Sequence, residues 1–111
     1  MLFDAAGAVL DEARAAIGTQ RSADGEVVEH DAAELIGSLR AAIAAVGSRA
    51  TAAGRRIVAA GLATQRSSMA CWSRNSAAAL APVISWQDRR NAAWLAGLEP
   101  HRDWIRERTG L

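Results

Sequence analysis

Ile57-Val58-Ala59-Ala60-Gly61-Leu62-Ala63-Thr64-Gln65-Arg66-Ser67 decides how the chain is read, with its answering stretch Val83-Ile84-Ser85-Trp86-Gln87-Asp88-Arg89-Arg90. The first opens with an apolar run, Ile57 to Ala63, of the length and character of a strand buried on both faces. It ends abruptly in the polar group Thr64, Gln65, Arg66, Ser67. A second run, Met69 to Trp72, leads to a turn at Arg74, Asn75 and Ser76. A third, Val83 to Trp86, ends in the polar cluster Gln87 to Arg90. Two strands thus deliver hydrogen-bonding side chains at their carboxyl ends, the edge at which open α/β sheets bind ligands.

Working outward, Met1 to Phe3 reads as a stub of strand and Asp4-Ala5-Ala6-Gly7 as a turn. Ala8 to Ile17 reads as a second strand pairing back on the first, although its alanines also permit helix. Gly18 to Gly25 is a polar loop and Glu26 to Glu29 is extended. A helix is expected from His30-Asp31, with Asp31 as N-cap and Glu34 as its capping-box-like partner. Leu35, Ile36, Leu39, Ile43 and Val46 recur at helical spacing, and Gly47 is a plausible stop. Ala50 to Arg56 is a linker. Beyond Trp86, Asp88 is placed to N-cap a short helix from Arg89 to Ala96, ended by Gly97. Pro100 starts another, to about Arg108, with Trp104 and Ile105 facing inward.

The 111 residues suit one small domain burying roughly 65% of its unfolded surface. Half are hydrophobic, which excludes wholesale disorder, and alanine supplies about a quarter. An alanine-rich core gains little per residue, so stability is expected to be marginal. All 13 basic residues are Arg, balanced by 12 acidic ones to a net charge of +1. Spread along the chain, they leave no nucleic-acid footprint. No run approaches the ~20 apolar residues of a membrane span, no leader is visible, and a cytoplasmic location is expected. The single Cys71 sits in an apolar run and reads as an inert buried thiol. Trp72 and Trp94 read as packing residues.

The words Gly61-Leu62-Ala63-Thr64-Gln65-Arg66 and Val83-Ile84-Ser85-Trp86-Gln87-Asp88-Arg89-Arg90 resemble the amino-terminal domain of the FGGY carbohydrate kinases, most closely the glycerol-kinase-like branch. Their order and spacing are similar to the family's, whose wording is Ile-Thr-Asn-Gln-Arg-Glu and Val-Trp-Gln-Asp-Arg-Arg. Glu29-His30-Asp31 with Glu34-Leu35, and Thr109-Gly110-Leu111, resemble further family words. The resemblance implies an α/β fold: part of an RNase-H-like, actin-like ATPase domain, with a mixed sheet and flanking helices. It also implies an ATP- and magnesium-dependent parent enzyme that phosphorylates an alcohol group of a small sugar or polyol. The family's first strand, with its Asp-x-Gly-Thr phosphate loop, would precede Met1, and its catalytic Asp would follow Leu111. The chain alone is therefore expected to bind neither ATP nor magnesium and to lack kinase activity. Loss of the first strand is expected to expose a sheet edge open to self-association.

The residues themselves offer no Ser/His/Asp set, metal cluster or phosphate loop. Paired Asp11-Glu12 reads as a solvated strand edge, and His30 as a structural, loop-positioning residue. What remains is Gln65, Arg66, Ser67, Trp86, Gln87 and Asp88. Arg offers five donors in a rigid fork, Trp a flat face for C–H surfaces, and Asp and Gln partners for hydroxyls. The resemblance places Arg66 where glycerol-kinase-like members bind substrate hydroxyls, and Trp86 where a Trp lines the same pocket. Ser67 stands where they carry a Glu, which favours an acceptor other than glycerol. Arg66 could alternatively be a structural ion-pair residue, and Trp86 hairpin packing. Arg89-Arg90 reads as an exposed pair opening a helix.

Overall fold

A sheet of three antiparallel strands includes the fully buried Val28, and its pairing is only half apparent in the sequence. The structure, a computed structural model, describes residues 1–110; Leu111, the last residue of the Thr109-Gly110-Leu111 word, lies outside the described residues. The fold is mixed α/β. Strands β1 (Leu2–Phe3) and β2 (Val9–Asp11) form the expected hairpin. Asp4 turns it by accepting the Ala6 and Ala8 amides, each at 2.9 Å. The second strand stops at Asp11, not Ile17. There the chain is caught from outside: Arg49 reaches Asp11 Oδ2 at 2.7 Å and Oδ1 at 3.0 Å, and the Glu12 carbonyl at 2.8 Å.

The stretch read as a polar loop contains a strand, β3 (Gln20–Arg21), paired with β4 (Val28–His30). Asp24 and Gly25 make the connection. Asp24 accepts the Ser22 hydroxyl and the Glu26 amide, and Gly25 sits at φ +76°. Asp-Gly is a strong hairpin signal, and it outweighs the polar character of the edge residues. Strand β5 (Val83–Ile84) pairs with the other edge of β4, giving the order β3-β4-β5. Met69 and Ile84 then exchange two backbone hydrogen bonds of 2.9 Å, so the second hairpin adds its arm to the same sheet. That hairpin turns where expected, with Ser73 and Trp72 paired to Ala78 and Ala79. Every described pairing is antiparallel; the parallel pairing that a mixed sheet needs is not found among the described residues.

Helix α1 (Ala32–Ala52) begins as expected: Asp31 Oδ1 accepts the Glu34 amide at 2.7 Å. The reciprocal half of the capping box is not made. Glu34 instead accepts the Gly18 amide at 2.8 Å, while His30 Nδ1 meets the Gly18 carbonyl at 3.0 Å. The helix also runs through Gly47 to a stop at Gly54, φ +67°. There the Gly54 amide donates to Thr51 O and the Arg55 amide to Ala50 O. This paired capping satisfies two of the last carbonyls.

The largest departure is the run Ile57 to Ala63. It forms no strand and lies exposed, Val58 at 79% and Leu62 at 73%. Among the described residues nothing hydrogen-bonds its backbone, and an apolar run without a partner edge keeps its amides in water. Among the described residues burial is confined to Val28, Val46, Ala50 and Val83, with Ser85 the one buried polar residue. All four tryptophans are more than half exposed, which corrects the packing roles expected for Trp72 and Trp94. Cys71 is exposed too, which corrects the buried thiol expected. The radius of gyration is 19.2 Å, against about 13 Å for a compact chain of this length.

The carboxyl-terminal part is α2 (Ala92–Ala96), a 3-10 turn (Glu99–His101) and α3 (Arg102–Thr109). Helix α2 starts after Asn91, later than expected, because Asp88 is engaged elsewhere and Asn91 makes no side-chain cap. Pro100 lies in the 3-10 turn. Ile105 is half-buried, but Trp104 points outward with the Arg108 guanidinium 5.0 Å above its ring.

Candidate functional site: two adjoining turns

Gln65, Arg66 and Ser67 lie in one turn, Trp86, Gln87 and Asp88 in another, and the two are neighbours. The Met69/Ile84 pair fixes the strands that lead out of and into them. The Trp86 amide then donates to Ser68 Oγ at 3.2 Å, tying turn to turn. Ser67 adopts a left-handed backbone, φ +63°, which bends the chain sharply after Arg66.

Within this pair the side chains divide into engaged and unengaged. The Arg66 and Trp86 side chains are exposed and, among the described residues, make no hydrogen bond or ion pair. The structural ion pair considered for Arg66 is therefore not seen. Gln65 and Ser67 are exposed as well. Gln87, by contrast, accepts from Arg21 Nη2 at 2.6 Å. Asp88 is saturated: Oδ2 accepts the Val28 amide at 2.8 Å and Arg90 Nη2 at 2.7 Å, and Oδ1 accepts Arg90 Nε at 2.8 Å and the Arg90 amide at 3.1 Å. Arg90 Nη2 also reaches Glu29 Oε1 at 2.6 Å.

The electrostatics follow this division. The Arg90 guanidinium holds the Asp88 carboxyl well below the usual carboxylate range, helped by the Val28 and Arg90 amides and opposed by desolvation. Asp88, then Glu29, push Arg90 up in turn. In a separate ion pair Arg49 similarly lowers Asp11. Arg90 is exposed, as expected, but it bridges two carboxylates and does not open a helix, which begins only at Ala92. The Arg90–Glu29 contact spans 61 positions and carries no local sequence signal. Only the Asp88-x-Arg90 spacing hinted at any part of it.

The turns open to solvent. A cavity of about 490 Å³ lies elsewhere, between the first half of α1 and the second hairpin, lined in part by Leu35, Ile36, Arg40, Cys71 and Trp72. A smaller one sits among Leu98, Pro100, Trp104 and Ile105. None of the six candidate residues lines either cavity. Among the described residues no cluster of His, Cys, Asp or Glu is arranged to hold a metal ion. Among the described residues no helix is long and apolar enough to cross a membrane.

The chain matches the model of the FGGY family of carbohydrate kinases, N-terminal domain, over residues 1–111. The chain belongs to this family. Relatives include a glycerol kinase of Natranaerobius thermophilus, 34% identical over all of this chain and 22% of its own length. One of Acaryochloris marina is 35% identical over all of this chain and 22% of its own length. A third, of Aromatoleum aromaticum, is 38% identical over 76% of this chain and 17% of its own. The chain thus spans about a fifth of the length of these relatives. No solved structure matches it.

Proposed function

We propose that this chain carries part of the acceptor side of a carbohydrate or polyol kinase, an enzyme that transfers a phosphoryl group from ATP to an alcohol oxygen. The observation that carries this reading is the juxtaposition of the turns: Arg66 and Trp86 are exposed, unengaged, and linked through the Ser68–Trp86 hydrogen bond. The Arg66 fork donates to vicinal hydroxyls, the Trp86 face covers C–H surface, and Gln65 and Ser67 complete the polar rim. A Ser hydroxyl in place of a carboxylate at position 67 favours an acceptor other than glycerol. The broader setting in this reading is an RNase-H-like, actin-type domain in the cytoplasm.

ATP and magnesium are the cofactors this reading implies for the parent enzyme. The described residues do not fit them: the Asp4 carboxylate already accepts two backbone amides, and no carboxylate cluster stands ready for a cation. Titration of the chain with glycerol, other polyols and aldoses, followed by tryptophan fluorescence, tests the acceptor assignment; saturable binding that Arg66→Ala removes is the expected result. A coupled ATP-consumption assay on the same chain should stay at background. Absence of binding to every acceptor would overturn the pocket.

A second reading, an interaction module without catalysis, is favoured by a different observation, the exposed run Ile57–Ala63. Unpaired apolar backbone is a template for strand addition, here from a second copy of the chain. Sedimentation should then show association that Val58→Asp abolishes. A monomer at all concentrations would remove this reading.

A further inference from the structure

Asp88 was expected among the ligand-binding residues, yet its carboxylate already receives four protein donors and its side chain is only 5% exposed. An ionised carboxylate has about four acceptor sites, so none is left for a sugar hydroxyl. Its donors come from two sources. One is the amide of Val28, the fully buried first residue of β4. The other is Arg90, whose second anchor is Glu29, the next residue of β4. Between Asp88 and β5 lies the turn that carries Trp86. The same turn is held to β4 and its preceding loop by Ser85 N to Val28 O at 2.9 Å and Arg89 N to Glu26 O at 2.7 Å. From Trp86 the connection continues through Ser68 Oγ to the neighbouring turn.

We infer that Asp88, Arg90 and Glu29 are positioning residues, a clamp that fixes the Trp86 turn on β4 and, through Ser68, aligns the Arg66 turn beside it. The functional half of this inference rests on the acceptor reading above; the clamp itself is measurable without any ligand. A binding constellation has to be held within about 0.5 Å by groups whose own rotamers are locked. Trp86 and Arg66 have no such lock of their own, since neither side chain is engaged. The bidentate Arg90–Asp88 pair supplies directional rigidity that a Lys could not.

The test uses the full 111-residue chain with the exposed Trp72, Trp94 and Trp104 changed to Phe, leaving Trp86 as the one indole. Fluorescence anisotropy of Trp86 and amide hydrogen exchange at Val28 are measured, followed by titration with glycerol, other polyols and aldoses. Asp88→Asn is expected to speed exchange at Val28 at least tenfold and to lower the anisotropy of Trp86. Arg90→Lys should give an intermediate result. Asp11→Asn, which breaks the separate Arg49 pair, should alter neither local signal even as overall stability drops. If Asp88→Asn fails to fold, Arg90→Lys and Glu29→Gln carry the test, and an unchanged Trp86 anisotropy in both overturns the clamp. Loss of binding in Asp88→Asn to whichever of these acceptors the unaltered chain binds, with Val28 exchange and Trp86 anisotropy intact, would make Asp88 a direct ligand and overturn it equally. If the unaltered chain binds none of glycerol, the other polyols and the aldoses but the local signals move as stated, the clamp stands and the acceptor reading is what fails.

Discussion

Two apolar stretches of this chain, Val83–Ile84 and Ile57–Ala63, meet opposite fates. Val83–Ile84 is short, yet it is flanked by β4 on one edge and Met69 on the other, and Val83 is 8% exposed. Ile57–Ala63 is longer and more apolar, yet it lies in solvent with its backbone unpaired. The difference is not propensity but the supply of hydrogen-bonding edges, since a strand's preference is mostly that of the surface it joins. The widest separation between the regions should appear in stability. Val28→Ala, at the fully buried start of β4, should cost about 2–3 kcal/mol in urea denaturation. Val58→Ala, at a position 79% exposed, should stay within about 0.5 kcal/mol of zero. Equal losses would mean that Ile57–Ala63 is buried in solution.

The contrast extends to the two turns, one clamped by many bonds and one carrying an unengaged Arg. Arg66→Ala should leave folding unchanged and weaken acceptor binding by about 1.5–3 kcal/mol, roughly 10- to 150-fold, the range for a hydrogen bond to a charged group. In an intact kinase the loss should fall on acceptor and not on ATP affinity. Equal weakening of both, measured by titration, would assign Arg66 a structural role.

What the sequence made legible follows the range of the interactions involved. The Asp31 cap, the hairpin turns at Asp4–Gly7 and Arg74–Ser76, and the meeting of the Arg66 and Trp86 words all rest on local chemistry or on the family's own wording. The clamp from Asp88 and Arg90 to β4, and the Arg49–Asp11 pair, join residues far apart in sequence. No window of residues shows that Asp88 will be consumed by Val28 and Arg90 instead of capping a helix. The burial of Ile57–Ala63 was misread for the same reason: hydrophobicity was visible, whereas the missing partner edge was not. Likewise, β3 was hidden by its polar side chains although Asp24-Gly25 announced its turn.

Acid should distinguish the two ion-paired regions. Asp88 and Asp11 both titrate below the ordinary carboxylate value, chiefly because of Arg90 and Arg49 respectively. A depressed folded-state pKa lends stability that is complete above the unfolded value, about 4, and is lost as pH falls through it toward the folded one. Melting temperature is therefore expected to be level between pH 8 and about 5 and to fall below about pH 4. Asp88 is depressed the further, so Asp88→Asn should flatten more of that fall than Asp11→Asn. A fall beginning above pH 5, or one that neither substitution alters, would break the assignment.

The smallest effect separates two glycines of one helix. Gly47 was the expected stop, but α1 continues through it, and a β-carbon there meets nothing within 4 Å. Gly47→Ala should stabilise the chain by about 0.5–1 kcal/mol, the propensity difference in a helix interior. Gly54 has equally open surroundings but sits at φ +67°, where its left-handed backbone lets the Gly54 and Arg55 amides close the helix. Gly54→Ala should cost about 1 kcal/mol, because an added β-carbon strains that conformation whatever the space around it. Opposite signs in thermal denaturation would place the end of α1 at Gly54; a loss at Gly47 with none at Gly54 would return the stop to Gly47 and free Arg49 from the helix that now aims it at Asp11.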